Sequence, residues 1–495
     1  MASNLRVSIT KALGPLLFMG CLGVLCFWIF YGFFDADSGY YYLQSALMAG
    51  GKKPYLDYSD IYPPLYSLIN AIPVSMGINR WLIAWTTPLL WVLVTGCLTR
   101  YLISKAHITM RQVVPWIVGC CYVLFCVDYG GNHNTLEHGV VFFGLASLVV
   151  FTVSEWSAAV RFCAAGFLVS CALLSKQVGI LFALPFLTQI KKRSELCFFL
   201  GGFLAPVLAL LVWIRFDING LVTSHKLLQT YLGEGPEQHI MGRIRSLVLL
   251  VVDDIIDRPY RLIPYLYLPY VGGITLASLW KKRDWRRLWW LASWCLIGCM
   301  FYGARTQNNF LHYTLNCWPA ICVIIIESWT TIAGHVSAFH VRLTKWHGVG
   351  AAVRRVGVYL MVVAGLVIFA FGLSHQDAIS RKCDDMLGAL SRRNKLNGFC
   401  LPLSKDIAAL VPKGAGVSHV GAERLLFFLS NRLPLNYSWA VGLPSPDLLF
   451  AGDGILVTDQ RYLTATVAEV IDGHGYRVLK QWHTVWGNVV LYWRR

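Results

Sequence analysis

Eleven apolar stretches divide this chain of 495 residues: 12–34, 81–104, 113–128, 138–154, 158–174, 177–190, 196–214, 261–280, 288–304, 311–332 and 356–374. About 20 apolar residues cross a bilayer as a helix, and fewer suffice where a helix is buried among others. In lipid each backbone N–H and C=O must find its partner within the segment, so stretches of this kind become helices. Composition agrees, with 56% hydrophobic and 14% charged residues, where a soluble protein carries about a quarter charged. The chain reads as a polytopic α-helical membrane protein of about 11 transmembrane helices with some soluble mass. Leu16–Phe34 is too long and unbroken for a cleaved signal, and it runs into Asp35 and Asp37 rather than a small-residue cleavage site.

Basic residues sort into alternate loops. With the N-terminus in the cytoplasm, the inner loops carry Arg6, Lys11, Arg100, Lys105, Arg111, Arg161, Lys191, Lys192, Arg193, the basic run from Lys281 to Arg287 and that from Arg342 to Arg355. The outer loops are longer and hold most of the acids. This is the positive-inside pattern, and it accounts for a formal net charge of +17 without a nucleic-acid partner. An odd number of spans puts the C-terminal tail outside.

Three outer segments are long: 35–80, 215–260 and the tail from 375. In the first, Tyr40, Leu43, Leu47 and Gly50 share a helical face that excludes Asp37, Gln44 and Ser45, which predicts a helix over 38–50 lying along the membrane surface. Residues 243–257 predict a second interfacial helix. The tail alternates strand-like runs (416–421, 455–458, 476–482, 489–493) with helical ones (423–432, 462–472). A small extracytoplasmic α/β domain over 375–495, appended to a membrane module over 1–374, is therefore expected. Of 15 cysteines all but Cys383 and Cys400 lie in or beside apolar segments. A disulfide between these two in an outer tail would contribute about 3 kcal/mol through the loop it closes.

This topology gathers polar residues at the outer helix ends. Asp35, Asp37, Asp57 and Asp60 lie in the first loop; Asp128, His133, Asn134 and Glu137 lie between the third and fourth spans; Lys176 follows the fifth; Arg305, His312 and Tyr313 precede the tenth. Acids come from early loops and cations from later ones. Such a set suits a transfer in which an acceptor hydroxyl or amine needs a base and a leaving phosphate needs cations.

The stretch Asp37, Tyr40, Ala46, Gly50, Pro54-Tyr55, Asp57 and Pro63-Pro64-Leu65 resembles the first outer loop of glycosyltransferase family 39 and its relatives, among them bacterial aminoarabinose transferases and protein O-mannosyltransferases. Asn134-Thr-Leu-Glu137, Ser175-Lys176, Arg305 and His312-Tyr313 extend the likeness over about two thirds of the chain. The resemblance implies a GT-C fold in a bacterial inner membrane, with site and tail facing the periplasm. It implies a polyprenyl-phosphate-linked sugar as donor, a cell-envelope glycan, lipid or protein as acceptor, and no cofactor. By the same analogy Asp37 is the catalytic base and Glu137 the second catalytic acid; Asp35, Tyr55, Asp57, Lys176, Arg305, His312 and Tyr313 bind substrate. One departure is Ile61-Tyr62 before Pro-Pro, where many relatives have Lys or His, so a donor contact is lost or moved.

Plainer readings stand beside these. Asp37 suits the N-cap of a helix over 38–50, and Glu137 a surface acid favoured by the helix dipole. Asp35-Ala-Asp37 resembles a metal-binding pair, though two hard ligands do not make a site. Lys176 suits a solvated turn, Arg305 and His312 suit anchors for membrane phosphates, and Tyr313 suits the interfacial aromatic belt. A transporter or lipid flippase is the alternative function, although the chain shows none of the internal repeats such proteins often have.

Overall fold

The computed structural model describes residues 14–26, 29, 36–58, 60, 62–105, 114–128, 134–153, 155–217, 219–220, 222, 271–304, 311–329, 401–415, 417–420, 425–431, 453–457, 471–484 and 487–494. Its helices are α1 (Gly14–Cys26), α2 (Ala36–Ala49), α3 (Leu65–Ser75), α4 (Arg80–Lys105), α5 (Val114–Asp128), α6 (Glu137–Val153), α7 (Ala158–Ser175), α8 (Ala183–Gln189), α9 (Arg193–Trp213), α10 (Gly272–Lys281), α11 (Trp285–Ala304) and α12 (318–329). Three of them, α4, α7 and α9, are long and apolar enough to cross a membrane. The described parts of the spans begin or end within a few residues of the boundaries that hydropathy assigns them, whereas α3 has no counterpart in that reading.

The helices alternate in direction, and this builds two chemically different ends. At one, Lys176 after α7 meets Glu137 at the start of α6, and Trp213 at the end of α9 packs on the cluster that Leu47 and Met48 of α2 form with Tyr58 and Ala71. At the other, Arg161 donates to the Phe151 carbonyl at 3.4 Å, Gln189 and Arg286 exchange hydrogen bonds, and Arg287 pairs with Glu327. Between the ends the core is aromatic, with Phe186 against both Trp290 and Trp294 and Phe182 against Trp294.

Two spans are not continuous α-helices. Residues 177–190 open as a 3-10 turn, Gln177–Phe182, before α8, and 311–332 opens as another, Leu311–Cys317, before α12. Both tight segments lie at the end that carries Glu137 and Lys176, and they set polar side chains at fixed offsets there.

Residues 401–494 contain α13 (Leu401–Leu410), β1 (Val417–Val420), α14 (Leu425–Ser430), β2 (Gly454–Val457), β3 (Tyr476–Thr484) and β4 (Gly487–Arg494). The strands make one mixed sheet in the order β1-β2-β4-β3, parallel between β1 and β2 and antiparallel elsewhere. All four fall on the runs read as strands; α13 carries no counterpart in that reading. The sheet unit docks on the first loop. Leu403, Ile407, Leu426, Phe427 and Phe428 share a core with Tyr42, Leu43 and Ala46 of α2 and Ile83 and Ala84 of α4. Tyr42 stacks on Phe428 with ring centroids 5.0 Å apart, and Arg80 donates to the Phe428 carbonyl at 2.8 Å.

That docking gives the predicted first-loop helix neighbours on both sides. Gln44 and Ser45, which lie off its apolar face, are as buried as Leu43. One side of α2 packs on the sheet unit, and the other is bonded through Gln44 to Asp60 and Ser67. The interfacial helix over 243–257, the eleventh span, the 374/375 boundary, Cys383, Cys400 and most of 462–472 lie outside the described residues.

Candidate functional site

The chain enters α6 through a short turn fastened at Asn134. The Asn134 amide N–H donates to Ser38 Oγ at 3.1 Å, and its side-chain Oδ1 accepts from Tyr66 at 2.5 Å. Ser38 follows Asp37 directly, so the first turn of α2 is fastened to the turn that presents Glu137. Close packing does the rest. A Cβ on Gly139 would lie 2.8 Å from Ser175 Oγ and 3.0 Å from Tyr66, so only glycine lets α6 approach the end of α7 this closely. Beyond Ser175 the chain turns sharply. Gly179 N–H bonds the Lys176 carbonyl at 2.9 Å, and a Cβ there would meet the Ala172 carbonyl carbon at 2.3 Å.

These constraints bring Glu137 and Lys176, 39 residues apart, into a buried ion pair. Glu137 is fully buried and Lys176 is 5% exposed. The carboxylate stands at a helix N-terminus and the ammonium at a helix C-terminus, so each charge also faces the favourable end of a macrodipole. Two aromatic rings flank the ammonium, with Lys176 Nζ 3.8 Å from the Tyr313 ring centroid and 5.4 Å from that of Tyr62. Cation–π contact of this kind strengthens when water is excluded. Burial pulls the lysine pKa down, but the Glu137 carboxylate and the Tyr313 phenol more than offset it, and the pKa stands above the ordinary lysine value. Lys176 is therefore cationic at working pH.

A second buried carboxylate supports Tyr62. Asp60 accepts from Tyr40 at 2.9 Å, from the Tyr62 N–H at 3.0 Å and from Gln44 Nε2. Tyr55, whose φ of +68° is unusual for an aromatic residue, donates to the Tyr62 carbonyl at 2.8 Å. Burial and the Asp60 carboxylate push its phenol pKa well up, which keeps it a donor.

The structure thus joins Glu137, Lys176 and Tyr313, with Tyr55 one step behind through Tyr62. Glu137 is no surface acid, and Lys176 is no solvated turn. Asp37 lies in the first turn of α2 rather than at its cap, since the helix begins at Ala36; its side chain falls outside the described set. His312 neighbours Tyr313 on the 3-10 turn, again without a described side chain, and Asp35 and Arg305 lie outside the described residues. Asp57 does not join the cluster. It is exposed and closes its own turn by accepting from Lys53 N–H at 2.6 Å. Asp60 and Asn134 belong to the polar set that sequence reading gathered at the outer helix ends, without an assigned role; Ser38, Tyr62 and Tyr66 are the residues it passed over as site members. Tyr62 carried a signal, since it occupies the position where relatives place a cation. No group of three or more His, Cys, Asp or Glu that could hold a metal is found among the described residues.

No protein-family profile and no curated protein matches the chain. Its fold is similar to that of ArnT from Cupriavidus metallidurans in the apo state, with a TM-score of 0.51 and 13% identity over 99% of this chain and 98% of that one. Weaker likenesses extend to ArnT from the same organism bound to undecaprenyl phosphate (TM-score 0.45, 13% identity, 98% and 97% covered). They extend also to the Archaeoglobus fulgidus oligosaccharyltransferase in complex with Zn and sulfate (TM-score 0.46, 10% identity, 97% and 73% covered). At this identity the ArnT likeness shows a shared fold, which is the GT-C fold the first-loop resemblance implies.

Proposed function

We propose that the protein is an integral membrane glycosyltransferase that moves a sugar from a polyprenyl-phosphate-linked donor to a cell-envelope glycan, lipid or protein. One observation carries the reading. A buried, aromatic-flanked lysine paired with a glutamate is fastened through Ser38 and Asn134 to the first turn of α2, where Asp37 lies. The shared fold with ArnT and the first-loop pattern point the same way.

In this reading Asp37 takes the proton from an acceptor hydroxyl or amine. The freed electron pair attacks the anomeric carbon, and the bond from that carbon to the phosphate oxygen breaks. Those electrons leave on the lipid phosphate, whose charge is met by Lys176, helped by Arg305 and His312. Glu137 holds the ammonium in place, and Tyr62 and Tyr313 keep water from it. Because Glu137 and Lys176 are buried, substrate entry displaces whatever covers them. The chemistry uses the chain's own residues and routes no step through a metal.

The site end is assigned to the periplasmic side of a bacterial inner membrane. The opposite end carries Arg161, Lys191, Lys192, Arg193, Lys281, Lys282, Arg283, Arg286 and Arg287, as the positive-inside rule requires of a cytoplasmic face. The sheet unit, packed on α2, then lies outside.

The test uses the protein in lipid with radiolabelled polyprenyl-phospho-sugars and envelope acceptors, beside Asp37→Asn. The expected result is transfer by the native protein and its loss in the variant. Transfer unaffected by Asp37→Asn removes Asp37 as the base. Solute uptake into vesicles without any transfer replaces the enzyme with a transporter.

A further inference from the structure

Two polar groups in the turn before α6, Asn134 Nδ2 and Thr135 Oγ1, find no hydrogen-bond partner among the described residues, although Asn134 is 0% exposed and Thr135 1% exposed. Buried polar atoms are paired in the great majority of cases, and leaving one unpaired costs free energy. The two groups are neighbours in sequence, and they sit between Ser38 on one side and the Glu137–Lys176 pair on the other. The rest of the Asn134 side chain is committed, since Oδ1 accepts from Tyr66. That leaves its N–H2, an obligate donor, beside a hydroxyl that also donates.

Lys176 explains why donors of this type are needed. Its charge is already answered by Glu137, so an arriving phosphate meets an ion pair and not a free cation. A phosphate beside a carboxylate is repelled unless further donors lacking a negative partner share its oxygens. An amide N–H2 and a hydroxyl supply hydrogen bonds and bring no counter-charge, and such bonds to an ionised acceptor are the stronger kind.

Resting on the glycosyltransferase reading, we infer that Asn134 Nδ2 and Thr135 Oγ1 hydrogen-bond the non-bridging oxygens of the lipid-linked phosphate. They form a neutral donor pair that complements Lys176. The empty protein keeps them unsatisfied, and the ligand completes them.

The experiment measures binding of undecaprenyl phosphate, with undecaprenol as the phosphate-free control, to the full chain in phosphatidylcholine nanodiscs. Thr135→Val is the informative variant because it removes only the hydroxyl at nearly constant volume. It is expected to weaken phosphate binding about tenfold or more, the loss of one hydrogen bond to a charged group. Undecaprenol binding stays as it was, and the melting temperature stays equal or rises because an unsatisfied group has gone. Thr135→Ser restores affinity. Asn134→Asp keeps an acceptor for Tyr66 but replaces the N–H2 donor with a negative oxygen, and it should weaken phosphate binding further. Native-like affinity in Thr135→Val, or a fall in its melting temperature, overturns the inference and leaves the proposed function standing. If the native protein itself does not bind undecaprenyl phosphate, the glycosyltransferase reading fails first and takes this inference with it.

Discussion

Removing one member of the Glu137–Lys176 pair is predicted to harm the protein more than removing both. In Lys176→Met the Glu137 carboxylate, fully buried, loses the cation that answers it. Breaking a buried pair in this way costs about 3–5 kcal/mol, whereas replacing the whole pair by apolar groups of similar volume is often neutral or favourable. Glu137→Leu alone strands a 5% exposed ammonium, softened by the rings of Tyr313 at 3.8 Å and Tyr62 at 5.4 Å, the nearer of which is worth about 2 kcal/mol when dry. The glutamate variant should therefore be the milder of the two. The double variant should return to within about 1 kcal/mol of the native protein, a coupling of at least about 2 kcal/mol between sites in direct contact. Thermal unfolding of all four proteins in one detergent measures this. Sugar transfer measured alongside separates stability from chemistry. The double variant should be folded yet slowed by roughly 100-fold or more, the loss expected when a charge-stabilising donor is removed. Additive effects on stability refute the buried pair, and native transfer rates in the double variant refute Lys176 as the phosphate's cation.

Other perturbations test the supports. Asp60→Asn keeps the shape but weakens three bonds to Tyr40, Gln44 and Tyr62; a stability loss of about 1–3 kcal/mol is expected, with slower transfer, and unchanged unfolding argues against the network. Gly139→Val forces side-chain atoms into Ser175 and Tyr66, an overpacking of about 1–3 kcal/mol, and should disconnect Glu137 from Lys176; crosslinking or activity identical to native would show that α6 has room. Chelation with EDTA should leave transfer intact, and loss restored by added Mg²⁺ or Mn²⁺ would place a divalent ion at Asp35 and Asp37.

The helices were legible because lipid leaves the backbone no alternative, so hydropathy alone sets their existence and approximate ends. The tail strands were legible for a different reason: Val489–Trp493 is a short run of β-branched, aliphatic and aromatic residues, and the strand buries Val489 and Leu491 on one face and Val490 and Tyr492 on the other. The environment of α2 was not. A helical wheel sorts Gln44 and Ser45 from Leu43 and Leu47, but it does not register that Asp60 and Ser67, many residues later, supply partners that make a polar face as buried as an apolar one. Asp57 and Asp60, two of the four acids of the first loop, show the same limit. Asp57 matched a family pattern and proves to close its own turn, while Asp60, three residues on, holds Tyr40, Gln44 and Tyr62 together.

Among the candidate site residues, type and place at a helix end were readable, and pairing was not. Sequence places Glu137 at a helix start and Lys176 at a helix end on one side of the bundle, and each position favours its charge through the local dipole. Nothing in the linear order says that these two ends touch. Contact follows from Gly139, which lets α6 close on α7, and from the turn at Gly179, which frees Lys176 from the helix it terminates. The glycines, silent in a list of chemical groups, are what convert two ordinary end charges into one desolvated pair. Burial alone would loosen the proton of Lys176; the Glu137 carboxylate and Tyr313, brought close by that packing, more than offset it and keep the lysine cationic. The chemistry proposed here is therefore encoded less by the acid and the lysine than by the two residues without side chains that allow them to meet.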